Sequence, residues 1–311
     1  MDKILLTGGA GFVGSALLQH TAFDEAVAVG RSCPNNCRNF VYRTLDSTTD
    51  YSELLNDVDI VVHVAARAHV LEENPKGSLN IYRDINTSPT LALAKQAINA
   101  GVKQFIFISS IKVLGDKTKL NERFTHASSL NPLDPYAISK AEAEIGLKDL
   151  TAKSKMDLVV IRPPLVYGKN VRGNFAKLLK LVPLQLPLPL KSITNKRSLV
   201  ALDNLVDLIV CCLSNPKAAN QTFLVSDDFD LSTSDLLAVL ARTGGYKSRL
   251  IGIPNWLLKV FFRAIGKLGV YRRLSDSMQV DMTFTKKQLD WAPPIPVDSA
   301  MQRCWSKHHR L

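Results

Sequence analysis

The sequence contains few cysteines, few aromatic residues and no long apolar run. Its five cysteines are odd in number and scattered, and no set of Cys and His residues has the spacing of a zinc site. These absences argue against a disulfide-stabilised secreted domain and against a metal site. We therefore expect free thiols in a reducing cytoplasm.

The chain also lacks the features that direct a protein into or across a membrane. Its N-terminus enters a short apolar strand without the charged and apolar regions of a signal peptide. No apolar run approaches the roughly 18 residues of a membrane-spanning helix. With 46% hydrophobic and 22% charged residues, the 311-residue chain has the composition of a soluble globular protein with a sizeable core.

A surplus of basic residues is the main compositional bias. The 39 lysines and arginines exceed the 28 acidic residues by 11, and a positive field of this kind favours anionic partners. No basic helix or nucleic-acid-binding motif stands out, so we expect no nucleic-acid partner. A phosphorylated cofactor and a nucleotide-linked substrate fit the charge instead.

Short apolar runs alternate with helical patterns through the first half of the chain. The runs are rich in valine and isoleucine with little polar alternation, which is typical of strands buried on both faces of a parallel sheet. The predicted strands are 4–7, 26–29, 40–43, 60–64, 105–109, 158–162 and 222–225. With the helices between them, they predict an α/β doubly wound parallel-sheet Rossmann fold.

The pattern changes after residue 162, where prolines cluster, and short helices and loops dominate after residue 231. We predict a NAD(P)-binding Rossmann domain formed by 1–166 and 196–228. A smaller, discontinuous substrate lobe would be formed by 167–195 and 229–311. Ligands of open α/β sheets bind at the carboxyl edge of the strands, where this lobe is expected to pack.

A glycine-rich turn, TGGAGFVG, follows the first strand. Gly8 permits a tight turn, Gly11 lets the backbone approach a pyrophosphate, and Gly14 lets the following helix lie close to the strand. Phe12 and Val13 lie in this turn, before a helix predicted over 14–21 whose free N–H groups and positive dipole end suit a phosphate. We expect these five residues to bind a dinucleotide.

The end of the second predicted strand indicates which dinucleotide is preferred. NAD-specific sites place an acidic residue there to hold the ribose hydroxyls, but this strand ends Val29-Gly30-Arg31. An arginine can instead pair with a 2′-phosphate. Arg31 therefore favours NADP(H) as the cofactor, with NAD(H) as the alternative.

Tyr136 and Lys140 are four residues apart and would share one face of a helix. A nearby ammonium stabilises tyrosinate, so the phenol becomes a usable acid or base. Ser109 and Ser110 end the preceding strand, where a hydroxyl could donate a hydrogen bond to a substrate oxygen. The pattern predicts a catalytic Ser–Tyr–Lys group.

These motifs together resemble the extended short-chain dehydrogenase/reductase family, whose members mostly act on nucleotide sugars. The resemblance implies that Tyr136 exchanges a proton with the sugar oxygen, Lys140 also holds the nicotinamide ribose and Ser110 orients the reacting oxygen. It also places further residues at the cofactor: Asp46, Ala65, Ala66, Asn86, Ser109 and Pro163. His63 and His69 are expected to be structural, since the tyrosine already supplies the acid/base group.

Several segments look closest to a subgroup that contains 4-reductases of UDP-4-keto-6-deoxy-N-acetylhexosamines and UDP-hexose 4-epimerases. Nucleotide-sugar dehydratases carry Asp-Glu after the catalytic hydroxyl residue, whereas this chain has Ile111 and Lys112, so dehydration is disfavoured. The resemblance implies that the UDP-sugar meets Ser110, Lys112, Asn174, Arg197 and Arg273.

Reduction and epimerisation use the same three catalytic residues. An epimerase keeps one tightly bound NAD, whereas a reductase consumes its cofactor. Because Arg31 favours NADPH, we expect a 4-keto reductase acting in surface polysaccharide biosynthesis, with the 4-epimerase as the alternative. A non-enzymatic NADP sensor is a remote third possibility, since such proteins usually lose the tyrosine or lysine.

Two expectations concern larger partners. Family members commonly dimerise through two long helices, here 87–100 and 136–150, so we expect a homodimer. The segment 254–266 combines aromatic, aliphatic and cationic residues. It is expected to pack in the small lobe, with weak peripheral contact to a membrane as the alternative.

Overall fold

The structure, a computed structural model, describes residues 2–35, 37–67, 75–119 and 121–305. His69 lies outside these residues. The strands are β1 (Ile4–Thr7), β2 (Val27–Gly30), β3 (Asn39–Tyr42), β4 (Ile60–His63), β5 (Gln104–Ile108), β6 (Asp157–Arg162), β7 (Leu165–Tyr167), β8 (Arg197–Ala201), β9 (Gln221–Leu224) and β10 (Asp230–Leu231). Seven of them form one parallel sheet in the order β3-β2-β1-β4-β5-β6-β9.

Helices cover both faces of this sheet. They are α1 (Phe12–Leu17), α2 (Ser52–Leu55), α3 (Pro75–Tyr82), α4 (Ser88–Asn99), α5 (Pro135–Thr151), α6 (Gly173–Leu181), α7 (Leu202–Ser214), α8 (Thr233–Thr243), α9 (Asn255–Ala264), α10 (Leu268–Ser275), α11 (Thr283–Leu289) and α12 (Val297–Arg303). A single π-helical turn, Arg83–Thr87, joins α3 to α4. The doubly wound Rossmann fold predicted from the sequence is confirmed.

The central strands have little polar alternation because both of their faces are buried. Every residue of β1 and β4 is buried. Leu6 and Val62 pack with α1 and α7 on one face, whereas Leu5 and Val61 pack with α4 and α5 on the other. Since the side chains of a strand alternate between faces, a continuous apolar run contributes buried side chains to the first core on both faces of the sheet.

A second core lies beyond the carboxyl edge of the large sheet. It contains buried residues of α6, α8 and α12, among them Phe175, Leu240 and Met301. Strand β8 does not join the large sheet but lies between β10 and β7 in a small three-stranded sheet. Its Val200 faces the first core while Leu199 and Ala201 face the second, so β8 connects the two. The predicted domain boundaries remain a prediction.

Among the described helices, none combines the length and the apolar character needed to span a bilayer. The five cysteines are all unpaired. In the part of the chain that the structure covers, no group of His, Cys, Asp and Glu residues is arranged to hold a metal ion.

Candidate active site

The glycine-rich turn connects β1 to α1 at the middle of the sheet. Gly8 adopts a φ of +78°, and a Cβ atom there would lie 2.6 Å from the backbone nitrogen of Ala65. A Cβ on Gly14 would lie 2.2 Å from the carbonyl oxygen of Gly8, which accepts a hydrogen bond from Gly11 N at 2.9 Å. Only glycine therefore allows the turn to close tightly against α1 and the end of β4.

We expect Gly14→Ala to weaken dinucleotide binding about tenfold or more, because overpacking a tight contact costs roughly 1–3 kcal/mol. The added methyl would push the Gly8 carbonyl out of the turn. Calorimetric titration with NAD and NADPH measures the effect. Gly252→Ala is the control, since its Cβ would meet only Ser192 Oγ at 3.6 Å. Equal affinities for the two variants would contradict the proposed role of the turn.

Asn86 secures the loop that follows β4. Its Oδ1 accepts a hydrogen bond from Arg67 N at 2.9 Å, and its Nδ2 donates to Arg67 O and to Ser139 Oγ. Ala65 and Ala66 lie in this loop, on the Gly8 side. The structure thus gives Asn86 a positioning task, joining the loop to α5; direct contact with a cofactor remains a prediction.

Arg31 and Asp46 lie beyond the ends of β2 and β3. Arg31 is exposed, and the described residues offer it no ion pair. The Asp46 carboxylate accepts hydrogen bonds from Thr48 N, Thr48 Oγ1 and Thr44 Oγ1, which lower its pKa strongly. Asp46 therefore stabilises its own loop. Its predicted contact with the adenine remains a prediction.

Tyr136 projects from the first turn of α5. Asp134 caps this helix, its Oδ1 accepting from Ala137 N at 2.7 Å, and Pro135 occupies the first helical position. The sequence expectation of a helix start here is confirmed. Burial and the charge of Asp134 raise the pKa of Tyr136 to about 12, while the nearby Ser110 hydroxyl opposes that rise. The Ser110 hydroxyl, which accepts a hydrogen bond from Lys112 N at 3.3 Å, thus lies close to the phenol.

Lys140 lies one helical turn further along and is buried, with only 1% of its surface exposed. Its Nζ lies 4.0 Å from the centroid of the Phe107 ring. Burial lowers the pKa of Lys140 to about 7, opposed by the charge of Glu144. The phenol pKa thus lies above its ordinary value and not towards neutrality as expected from the sequence, because burial disfavours the tyrosinate. Lys140 itself titrates near neutral pH.

Residues that the sequence interpretation missed surround this pair. Glu144 and Arg162 form a buried ion pair with a closest approach of 2.6 Å. The ring of Tyr82 meets that of Tyr136 edge-on, with centroids 6.1 Å apart. A signal was present for Glu144, because Tyr136, Lys140 and Glu144 are spaced by four residues and share one helix face. No local pattern marks Arg162 or Tyr82, which are brought there by the fold.

His63, at the end of β4, is buried and hydrogen-bonded on both ring nitrogens. Its Nδ1 lies 2.7 Å from Thr7 Oγ1 and its Nε2 lies 2.8 Å from Thr90 Oγ1. The Thr90 hydroxyl donates its hydrogen to Asn86 O at 2.6 Å, so it accepts from Nε2–H. Nδ1 therefore accepts from the Thr7 hydroxyl. This neutral imidazole joins three elements, in keeping with the expected structural role.

Burial, with the charge of Lys140, lowers the pKa of His63 to about 3. Between about pH 6.5 and 3 the unfolded chain binds a proton that the folded state excludes, so stability is lost as the pH falls through this window. At pH 4.5 the loss from this group is roughly 2–3 kcal/mol. Urea unfolding at pH 7 and 4.5 measures it. Between pH 7 and 4.5, His63→Gln should lose less unfolding free energy than the unaltered protein. The control His126→Gln, at an exposed position, should lose as much as the unaltered protein. Identical losses in all three proteins would show that His63 is not the group responsible.

Lys112 is placed beside the helix that carries Tyr136. Its Nζ forms an ion pair with Asp134 and lies 3.7 Å from Asp116. Lys112 thereby lies close to the start of α5 and offsets the Asp134 charge that acts on Tyr136. Its predicted contact with a substrate remains a prediction.

Three of the predicted substrate residues come together in one cavity of about 360 Å³. Asn174 of α6, Arg197 of β8 and Arg273 of α10 all line it, although more than 70 residues separate Arg197 from Arg273. The Arg197 guanidinium donates to Arg273 O at 2.9 Å, and burial lowers its pKa. Apolar residues such as Leu199 and Leu236 complete the walls. A cavity with two arginines and apolar walls suits an anion attached to a planar base.

Comparisons with known proteins identify the family of this chain. Residues 4–226 match the model of the NAD dependent epimerase/dehydratase family. The chain belongs to this family. A UDP-glucose 4-epimerase of Vibrio cholerae is 44% identical over 299 residues, covering 94% of this chain and 91% of that protein. An N-acetyl-α-D-glucosaminyl-diphospho-ditrans,octacis-undecaprenol 4-epimerase of Escherichia coli O157:H7 is 28% identical and covers 81% and 76% of the two chains.

Solved structures support the fold of an epimerase/dehydratase family member over nearly the whole chain. The UDP-N-acetylglucosamine 4-epimerase of Bacillus cereus superposes with a TM-score of 0.79 at 21% identity, covering 98% of this chain and 99% of that one. The UDP-glucuronic acid 4-epimerase of the same species, solved with NAD, gives a TM-score of 0.77 at 21% identity, covering 98% and 97%.

The residues present fit the dinucleotide that the family name implies. Three of the six residues in Gly8–Val13 are glycines, which have no Cβ atom, so a ligand can approach the backbone there. Ser109, at the end of β5, has a buried hydroxyl with no hydrogen-bond partner among the described residues, and buried hydroxyls are normally paired. Pro163 directly follows β6, and its carbonyl oxygen accepts a hydrogen bond from Ile111 N. This bond holds the segments that follow β5 and β6 together. The carboxyl edge is therefore built to receive a ligand.

Proposed function

We propose that this family member is a 4-epimerase of a UDP-linked hexose that works with bound NAD. The observation that carries the proposal is the Ser110 hydroxyl close to the Tyr136 phenol, with buried Lys140 one helical turn further along, in a chain 44% identical to a UDP-glucose 4-epimerase. That relative favours the epimerase alternative over the 4-keto reductase. The family name and the NAD-bound neighbour favour NAD over NADP(H).

The proposed chemistry moves a proton and a hydride at C4 of the sugar. NAD, when bound, supplies the hydride acceptor and donor. Tyr136 exchanges the proton of the C4 hydroxyl, and Ser110, whose hydroxyl lies near the phenol, donates a hydrogen bond to the same oxygen. Lys140, with a pKa of about 7, takes up or releases a proton near neutral pH on the same helix face. Returning the hydride to the other face of the sugar requires the substrate to rotate.

The cavity between α6, β8 and α10 is the proposed site for the UDP group. Arg197 and Arg273 provide fixed positive charge for the diphosphate, and Asn174 provides an amide. Holding the UDP end firmly leaves the sugar free to turn at the other end. This division of tasks suits an epimerase, which must present both faces of one sugar ring.

One feature favours the reductase reading. Arg31 follows β2 where NAD-specific proteins place an acid, and it is exposed and free to meet a 2′-phosphate. If Arg31 serves that purpose, NADPH would bind more tightly than NADH, and Arg31→Ala would remove the difference. Unchanged NADPH affinity in Arg31→Ala would leave the reductase interpretation without support.

Incubation of the purified protein with UDP-glucose, UDP-N-acetylglucosamine or UDP-glucuronic acid tests the proposal. We expect C4 epimers to form without net change in nicotinamide absorbance, and NAD to be released on denaturation. The same protein is then given UDP-4-keto-6-deoxy-N-acetylglucosamine with NADPH or NADH. Stoichiometric consumption of reduced cofactor, with no epimerisation of any UDP-hexose, would overturn the proposal in favour of a reductase.

A further inference from the structure

Helix α9 is held to the small lobe along one side only. Leu258 is buried in the second core. Phe262 packs on Tyr271 of α10 with ring centroids 6.1 Å apart, and the Tyr271 hydroxyl donates to Asn255 O. These contacts fix the α9–α10 hairpin on the protein and define which face of α9 points outward.

The outward face of α9 is also apolar. Trp256 is 67% exposed, and Val260 and Phe261 are each 56% exposed. Leu257 and Ile265 extend the same surface, at 44% and 47%. In a helix these positions cover about half of the circumference. Large apolar side chains grouped on one exposed face mark an interaction surface, whereas single ones do not.

Cations are frequent and acids absent in the segment that carries this face. The segment 244–275 contains seven lysines and arginines and no aspartate or glutamate. They are Lys247, Arg249, Lys259, Arg263, Lys267, Arg272 and Arg273. None of the seven forms a salt bridge with another described residue. The surface therefore combines exposed apolar area with uncompensated positive charge.

We propose that α9 docks this protein peripherally on an anionic lipid bilayer. The aromatic and aliphatic side chains of α9 enter the boundary between headgroups and acyl chains, and Lys259 and Arg263 of the same helix meet the lipid phosphates. A second copy of the chain is a poor occupant. A two-fold contact through this face would bring two acid-free cationic surfaces together, whereas an anionic bilayer complements both the charge and the apolar area.

The docking face and the proposed UDP cavity belong to the same hairpin. Val270 and Leu274 of α10 line that cavity, while α9 carries the exposed apolar face on its outer side. Docking would therefore hold the cavity close to the bilayer. The inference stands on α9 alone and does not depend on which sugar reaction the protein catalyses.

Flotation with vesicles tests the inference. The full-length protein is mixed at low salt with phosphatidylcholine vesicles and with vesicles in which about a third of the lipid is phosphatidylglycerol. We expect binding to the anionic vesicles only, and weakening as salt screens the charges. Trp256→Ala/Phe261→Ala, which leaves charge unchanged, should reduce the bound fraction at least tenfold, and Lys259→Glu/Arg263→Glu should do the same.

Matched controls separate a docking face from general surface properties. Phe229→Ala removes an aromatic side chain that is 57% exposed elsewhere, and Lys153→Glu/Lys155→Glu makes the same charge change at exposed lysines beyond α5. Both should bind vesicles like the unaltered protein. The inference is overturned if the unaltered protein does not float with anionic vesicles, or if the Lys153/Lys155 variant loses binding as fully as Lys259/Arg263. It is also overturned if Trp256→Ala/Phe261→Ala only converts a dimer to a monomer in sedimentation velocity.

Discussion

Tyr136→Phe is expected to lower turnover about a thousandfold and to leave the bound dinucleotide in place. The substitution removes only the phenolic hydroxyl, which lies near Ser110, and general acid–base catalysis by a positioned group contributes roughly 10²–10⁴-fold. The ring remains to pack edge-on against Tyr82, so the fold should be unaffected. Turnover of the UDP-sugar that the unaltered enzyme converts, with the cofactor content after denaturation, provides the measurement.

Tyr82→Phe is the matched control for this substitution. It also removes one phenolic hydroxyl, from a ring that touches Tyr136, but it leaves the Tyr136 hydroxyl in place. We expect turnover within a few fold of the unaltered protein. If Tyr136→Phe retains full turnover, the proton passes through another group and the proposed mechanism is wrong. If Tyr136→Phe loses its cofactor as well, the substitution has damaged the site and not merely the chemistry.

Arg162→Met is expected to lower the free energy of unfolding by about 3–5 kcal/mol, because it leaves a buried carboxylate without its partner. Arg162 and Glu144 are 3% and 1% exposed and are joined by three hydrogen bonds of 2.6–3.2 Å. Methionine preserves much of the side-chain volume, so the loss reports on charge more than on packing. Urea unfolding at neutral pH measures it.

An exposed ion pair offers the comparison. Arg242 and Asp298 approach to 2.5 Å but are 66% and 62% exposed, so Arg242→Met should cost less than about 1 kcal/mol. The double variant Glu144→Leu/Arg162→Met removes both buried charges and should recover most of the stability lost in the single variant. Equal losses for Arg162→Met and Arg242→Met would show that burial does not determine the importance of the Glu144–Arg162 pair.

The local features of this protein were readable in its sequence. The apolar runs predicted seven of the parallel strands to within about one residue, because a strand buried on both faces has no polar alternation to obscure it. Asp134 and Pro135 marked the start of α5 because capping depends on adjacent residues only. Helix α1 was less well predicted: it begins at Phe12, two residues before the predicted start, and ends at Leu17.

Some predictions depended on neighbours that are distant in sequence, and these were decided by packing. The phenol of Tyr136 was expected to be acidified by Lys140, yet burial raises its pKa. Strand β8 pairs outside the large sheet. Its sequence did not predict this, because its apolar run resembles those of β4 and β5. Desolvation and strand pairing depend on what surrounds a residue in three dimensions.

The sequence by itself determined the family and the order of strands and helices along the chain, and it predicted which hydroxyls and which lysine are catalytic. These follow from short motifs whose physical requirements are local: a glycine where a Cβ would collide, a tyrosine and a lysine one helical turn apart. Only the tertiary structure decided the surroundings of those groups. It buried Glu144 against Arg162 beneath Lys140, gathered Asn174, Arg197 and Arg273 around one cavity, and left one apolar face of α9 uncovered. Charge interactions, desolvation and exposure arise from segments far apart in the chain, and they exist only once those segments have packed together.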